Sequence, residues 1–280
     1  MNPQRLSLIL SSILFMIIPV ACNLPTAIAA TSEAVTNPTQ SVSTAAAPTQ
    51  PVSPAAAPTQ PVSTAISATP KVNTPDWSGY VAKGDTFTSV EATWQQPTVT
   101  CPVSNARVAF WVGLDDGPTI EQAGTSGVCN GLTASYHAWW MMFVKGNTKT
   151  QSLFPVSPGD TISSSVHYIN GMYALQVTDK TSGQTSSSLQ PCNAVCARST
   201  AEWIVEAPAV KSGGLYPLAN YSTVKFTEPK AGTGSKTGGI SAFNDVKYIM
   251  VQKGTLLSAP GDLAAGSKGT MFTVTWHAVQ

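Results

Sequence analysis

The chain is poor in charge: Asp, Glu, Lys and Arg make up 10% of its 280 residues, and the formal net charge is +1. A nucleic-acid binder normally shows a basic excess or stripe, and neither is present. Three histidines and five cysteines, none in H-E-x-x-H or paired C-x-x-C spacing, leave no ligand set for a protein-bound zinc. There is no G-x-x-x-x-G-K or G-x-G-x-x-G run for a nucleotide phosphate, and no G-x-S-x-G elbow for a serine hydrolase. Asp85-Thr86 comes nearest to an aspartic-protease motif, but Phe87 stands where that motif needs Gly, and Asp115-Asp116-Gly117 does not match it either. No segment keeps a 3.6-residue apolar period over eleven positions, which argues against an α-helical framework.

The one long apolar run is at the N-terminus. Arg5 precedes an apolar stretch from Leu6 to Ala21, interrupted by serines and Pro19. That is short for a membrane span and right for a secretory signal. Ala27-Ile28-Ala29 is an A-x-A cleavage site, so a signal peptide over 1–29 and a secreted, extracellular product are expected. The alternative reads Val20-Ala21-Cys22 as a lipobox, with a lipoprotein signal over 1–21 and a lipid anchor on Cys22 as the only membrane tie. Residues 30–75 then read as a linker rich in Ala, Pro, Thr and Ser, with a decapeptide recurring from Thr39, Thr49 and Thr59. Such a composition buries too little apolar surface to order itself.

The remaining stretch, 76–280, holds all seven Trp and all seven Tyr, with thirteen acidic against thirteen basic side chains. It is long enough for one well-buried core. Short β-branched and aromatic runs alternate with Gly, Pro, Asn and Ser: Ser89–Trp94, Ala106–Leu114, Ser135–Phe143, Thr161–Tyr168, Tyr173–Thr178, Ala201–Glu206, Ser222–Phe226, Val246–Val251 and Met271–Trp276. Asn170-Gly171 and Ser182-Gly183 fit hairpin turns. An all-β sandwich or barrel follows. With Cys22 lost or lipidated, four cysteines remain. Cys101 with Cys129 and Cys192 with Cys196 is the expected pairing among three connectivities.

Glu202 and Glu206 share one face of a strand, with Cα atoms about 13 Å apart. Glycosidase carboxyl pairs stand about 5–9.5 Å apart, so a glycosidase dyad does not suit them. His137, His167 and His277 lie in or beside strand-like runs, the setting of ordinary structural histidines.

Five motifs occur in order: Trp77-Ser78-Gly79-Tyr80, Phe110-Trp111-Val112-Gly113-Leu114-Asp115, Ile120-Glu121-Gln122-Ala123-Gly124-Thr125, Tyr136-His137-Ala138-Trp139-Trp140 and Ala201-Glu202-Trp203-Ile204-Val205-Glu206. Together they resemble the glutamic peptidases, or eqolisins, and their bacterial members above all. The resemblance implies an antiparallel β-sandwich of two large, concanavalin-like sheets and a catalytic dyad of Gln122 and Glu206. It sets Trp77, Gly79, Trp111, Asp115 and Trp139 in or around a substrate cleft, with Glu202 in support and Asp115 as an acid able to shift a dyad neighbour. The family often carries acidic residues where this chain has His137 and Met141. The chemistry suits these residue types: a carboxylate can take a proton from water and return it to the leaving amine, and a carboxamide can hold an oxyanion. The implied function is a secreted, monomeric endopeptidase acting on protein and peptide substrates, favouring acidic pH and needing no cofactor or metal. A lectin-like carbohydrate-binding module on a linker is the alternative.

Overall fold

The computed structural model describes residues 69–115, 119–144, 147–192 and 196–280. The expected signal segment, Cys22 and residues 30–68 of the linker lie outside them. The described residues form strands β1 (Lys71–Thr74), β2 (Trp77–Lys83), β3 (Phe87–Gln95), β4 (Arg107–Asp115), β5 (Thr119–Asn130), β6 (Thr133–Val144), β7 (Asn147–Pro155) and β8 (Thr161–Ile169). There follow β9 (Met172–Asp179), β10 (Thr185–Pro191), β11 (Thr200–Glu206), β12 (Thr223–Thr233), β13 (Thr237–Gly238), β14 (Asn244–Gln252), β15 (Thr255–Pro260) and β16 (Met271–Trp276). One 3-10 turn over Ile240–Ala242 is the only helical element among the described residues, and no helix there is long and apolar enough to cross a membrane.

Hydrogen bonding runs in the order β10-β9-β8-β3-β12-β16-β15-β14-β2-β11-β4-β5-β6-β7. Every neighbouring pair on this path is antiparallel. The path doubles back so that β3, β8 and β9 face β4, β5 and β11. The two sheets of the sandwich are therefore joined along one edge, where the short β15 pairs with both β14 and β16.

The β8–β9 hairpin shows why the turn signal works. Ile169 pairs with Met172, and Asn170 and Gly171 both take positive φ, 52° and 79°. That is the conformation a two-residue primed turn demands. The linker, by contrast, ends earlier than its composition suggests. Lys71–Thr74 pairs in parallel with β14, Lys71 against Lys247 through Thr74 against Met250. Val72 and Thr74 are β-branched, and the edge of β14 offers free ladder positions that a few extended residues fill.

Large side chains from both sheets fill the interior. Trp94, Phe110, Trp140, Trp203, Tyr221, Phe226 and Phe272 are buried there, and the Phe226 and Phe272 rings stack 5.0 Å apart. Buried polar groups tie the layers together: Trp94 Nε1 donates to Thr125 Oγ1 at 3.2 Å, and Ser164 Oγ to the Ala123 carbonyl at 2.7 Å. Trp203 Nε1 donates to the Glu91 carbonyl at 2.9 Å. All three bonds cross from one sheet to the other, and two of them pin β5. Disulfides join Cys101 to Cys129 and Cys192 to Cys196, as expected, and the first fastens the segment after β3 to β5.

The sheets differ in their outer faces. Strands β3, β8, β9 and β10 alternate between buried and accessible residues, whereas β2, β4 and β11 are buried on both faces through their centres. A second apolar cluster, Val81, Ala109, Trp111, Trp139 and Ile204, covers that far side. Its assembly needs glycine. A Cβ on Gly124 would lie 2.0 Å from the Phe110 carbonyl oxygen, and one on Gly79, at φ 153°, 2.0 Å from that of Trp203. Gly124→Ala should therefore destabilise the domain by about 1–3 kcal/mol, measured by chemical denaturation. An unchanged midpoint would show that β4 and β5 do not approach so closely.

Candidate active site

In an antiparallel sheet, residues paired across strands share a face, and the next row on that face is two residues away. Across β2, β11, β4, β5 and β6 one row reads Val81–Glu202–Gly113–Gln122–Met141. The next reads Gly79–Ile204–Trp111–Gly124–Trp139, and the third Trp77–Glu206–Ala109–Ser126–His137. Asp115, paired with Thr200 and Ile120, lies one row beyond Gly113. All seven site residues expected from the sequence thus fall on the outer face of one sheet. Parity separates Trp139 from Trp140: the first joins the outer cluster, the second the core.

A cavity of about 600 Å³ opens on this face, and Gln122 and Glu206 both line it, together with Trp139, Met141 and His137. Trp111 is fully buried in the row between those of Gln122 and Glu206. Trp77, Gly79, Trp111 and Asp115 lie beside the cavity rather than in its lining. Gln122 and Glu206 stand two strands and two rows apart, about 10 Å across and about 13 Å along the strands. Trp111 spans that gap. Its ring lies over Gly113, where a Cβ would come within 2.9 Å of the indole and 3.3 Å of Gln122 Cγ. Its Nε1 donates to Glu206 Oε2 at 2.7 Å. The Glu206 carboxyl is thereby drawn inward along β11, toward the row that separates it from Gln122.

Burial pushes the Glu206 carboxyl up to about 7, and the negative charge of Asp76 pushes the same way, while the indole N–H groups of Trp111 and Trp77 hold it down. Trp77 also packs edge-on against Trp111, ring centroids 5.0 Å apart. A carboxyl that titrates near neutrality is suited to both taking and returning a proton. Glu202 is pushed well above its ordinary value, by burial first and then by the charge of Asp115. Its Oε1 accepts from Thr200 Oγ1 at 3.0 Å. Asp115, expected to tune a dyad neighbour, thus acts on Glu202. Gln122 is buried, and its Oε1 has no hydrogen-bond partner among the described residues.

The peptidase A4 family model matches residues 75–265. The chain belongs to that family, the eqolisins. As a member it is a peptide hydrolase. A crystal structure of scytalido-glutamic peptidase with a peptide-based transition-state analogue superposes with a TM-score of 0.62 at 21% identity, covering 72% of this chain and 98% of the other. The eqolisin SCP-B, in complex with the tripeptide Ala-Ile-His, gives 0.60 at 21% identity over 72% and 98% of the two chains. Aspergilloglutamic peptidase from Aspergillus niger gives 0.53 at 25% identity over 61% and 99%. These likenesses show the eqolisin β-sandwich fold. No curated protein sequence matches the chain.

Several residues around the eqolisin site were not anticipated. Asp76 is the last residue before β2, and its carbonyl accepts from the Ala207 N–H at 2.9 Å, which brings its own carboxyl, raised by burial, close to Glu206. Nothing in the sequence marks Asp76 except its place beside Trp77. Gln122 sits in the twelve-residue strand β5, a stretch that the sequence does not read as a strand. Gly124, Gly127 and the Glu121-Gln122 pair disguise that strand as a turn. Arg107 and Lys211 also line the cavity, and neither belongs to a motif.

Two tests follow from the electrostatics. Glu202 binds a proton more tightly folded than unfolded, so its contribution to stability is present at low pH and is lost as pH rises above the unfolded value, near 4.5. Glu202→Gln should raise Tm at pH 8 by about 2–4 °C and flatten the pH dependence of Tm, read by calorimetry from pH 4 to 8. For Glu206, Asp76→Asn removes a charge that raises its titration, and Trp111→Phe removes a donor that lowers it. The side-chain carboxyl resonance of Glu206 should titrate below about 7 in the first variant and above it in the second. Shifts of the same sign would overturn this account.

Proposed function

We propose that this eqolisin is an exported endopeptidase in which Gln122 and Glu206 perform the hydrolysis. The observation that carries the reading is their joint presence in one cavity, on one sheet face, with the Trp111 indole lying between them. A peptide crossing the cavity over Trp111 meets both side chains. Glu206, as carboxylate, takes a proton from water as that water adds to the scissile carbonyl. The Gln122 Nε2 group donates to the oxygen that becomes negative. The tetrahedral intermediate then collapses, and the protonated Glu206 passes its proton to the leaving nitrogen. Each product leaves with a balanced complement of protons, and Glu206 returns to its starting form.

The protonation of Glu206 sets the working pH. A general base must be ionised, and a carboxyl at about 7 is largely ionised only at neutral pH and above. The ascending limb of kcat/KM therefore belongs near neutrality, which departs from the acidic optimum expected from the resemblance. Export rests on Arg5, the apolar run Leu6–Ala21 and the Ala27-Ile28-Ala29 site, with a lipid anchor at Cys22 as the other route to the cell exterior.

Casein and quenched fluorescent peptides, assayed from pH 2 to 8 with chelator and with serine and aspartic inhibitors present, test the reading. Wild type should cleave under all these inhibitors. Glu206→Gln should lose activity to background while staying folded with a Tm no lower than wild type, and Gln122→Ala should lose about 10²–10³ in kcat, the usual effect of removing one oxyanion donor. Full activity in either variant removes the proposed roles. Absence of proteolysis together with retention on polysaccharide columns would favour the lectin-like reading.

A further inference from the structure

The cleft is electrically lopsided. On the Gln122 side the buried carboxyls of Glu202 and Asp115 lie beside the cavity, outside its lining. At the other end, past Glu206, the cavity is lined by Arg107, His137 and Lys211. Arg107 occupies the row after Ala109 on the same face of β4, one strand from Glu206 and two residues along. Its Cα is therefore about 8 Å from that of Glu206. His137 closes the Glu206 row on β6.

The one carboxyl lining the cavity among the described residues, Glu206, is bonded to the Trp111 indole. Arg107 makes no salt bridge among the described residues, and its Nε is buried without a hydrogen-bond partner. Its guanidinium lies 3.8 Å over the Tyr216 ring, which fixes the planar group by stacking and leaves its in-plane N–H donors for another partner. The Arg107 charge also disfavours a proton on His137, already discouraged by burial. With the Glu206 carboxyl taken by the Trp111 indole, the half-buried Arg107 guanidinium faces the cavity without a paired carboxylate, an unfavourable arrangement for the empty protein. A ligand anion relieves it, and a guanidinium binds a carboxylate bidentately.

We infer that Arg107, with His137 and Lys211, forms a carboxylate subsite that selects peptides carrying a carboxylate close to the scissile bond on the Glu206 side of the cleft. The inference rests on the peptidase reading above. The separation of about 8 Å from Glu206 is two to three extended residues, at about 3.3 Å each. The carboxylate is thus either an Asp or Glu side chain within that distance or the free C-terminus of a short substrate. Arg107 is a specificity residue here and takes no part in the proton transfers.

The test uses matched quenched peptides. One set exchanges Asp for Asn at each of three positions on either side of the cleaved bond, with amidated C-termini. A second set compares free and amidated C-termini on peptides truncated one to three residues beyond that bond. At one position kcat/KM should be about tenfold higher with the carboxylate, the usual scale of a charge-assisted contact. Arg107→Gln should bring that ratio near one, Arg107→Lys should restore part of it, and His137→Gln or Lys211→Gln should reduce it. Which set shows the effect assigns the carboxylate to a side chain or to a terminus. Equal kcat/KM across every pair, or a ratio unaffected by Arg107→Gln, overturns the subsite while the cleavage itself still stands. If no peptide is cleaved, calorimetric binding of the same pairs to the wild-type protein reads the subsite separately. Equal affinities there reject it, and a carboxylate preference abolished by Arg107→Gln retains it. Should Arg107→Gln fail to fold, the double variant His137→Gln/Lys211→Gln supplies the same ratio test from the other walls.

Discussion

The hydrogen bond from Trp111 Nε1 to Glu206 Oε2 is the contact on which the active face depends. Burial alone would drive this carboxyl neutral, and a neutral carboxyl is a poor base. Full solvation would leave it ionised but weakly basic. The indole N–H offsets part of the desolvation, Asp76 opposes it, and the balance falls at about 7. The indole can take this position only because Gly113 lies under its ring and Gly124 admits the backbone of β4 alongside. Two missing side chains are thus as necessary to the chemistry as the groups that carry it.

The two sheets divide the work of folding and function. The sheet of β3, β8, β9 and β10 keeps one face for the core and gives the other to water, and its strands alternate accordingly. The sheet around β4 and β11 is apolar on both faces, the core on one side and the Trp77, Trp111 and Trp139 surface on the other. Nothing in the stability of a sandwich requires that second apolar face, since an antiparallel sheet is ordinarily polar on its outer side. It carries the cavity, and the proposed active groups stand on β-strands of this sheet, on rigid backbone rather than on loops.

That division also explains what could be read in advance. Met271–Trp276 alternates strictly, and the strand has the bounds its pattern suggests. The hairpin at Asn170-Gly171 is likewise written in residue types that tolerate positive φ. Strands β2 and β5 are the opposite case. With both faces buried, β2 loses its period of two, and in β5 the glycines needed for close approach mimic turn signals. The proposed dyad was legible only through five motifs in register, because a buried Gln and a strand-end Glu carry no chemical mark of their own. Asp76, Arg107 and the inward lean of Glu206 were not legible at all. They arise from pairings between segments 20 to 130 residues apart, which β11 brings together by sitting between β2 and β4.

Burying carboxyls to make a base has a consequence for the whole domain. Asp76, Glu202, Glu206 and Asp245 all titrate above their ordinary values, each chiefly through burial. Folding favours their protonated forms, so their contribution opposes unfolding at low pH and is withdrawn as pH rises through their folded values. Asp179 and Asp262 are held below the ordinary range, the first by N–H and O–H donors from Thr181 and Ser182, the second by Lys247 on the surface. Acid denaturation normally proceeds by protonating carboxylates that the native state holds ionised, whereas these four buried carboxyls are favoured in their protonated forms. Acid tolerance of the fold and an acid optimum of the enzyme are therefore separate properties. The first follows from the cost of ionising the buried carboxyls, and the second is opposed by the need for Glu206, in its proposed role as base, to be ionised.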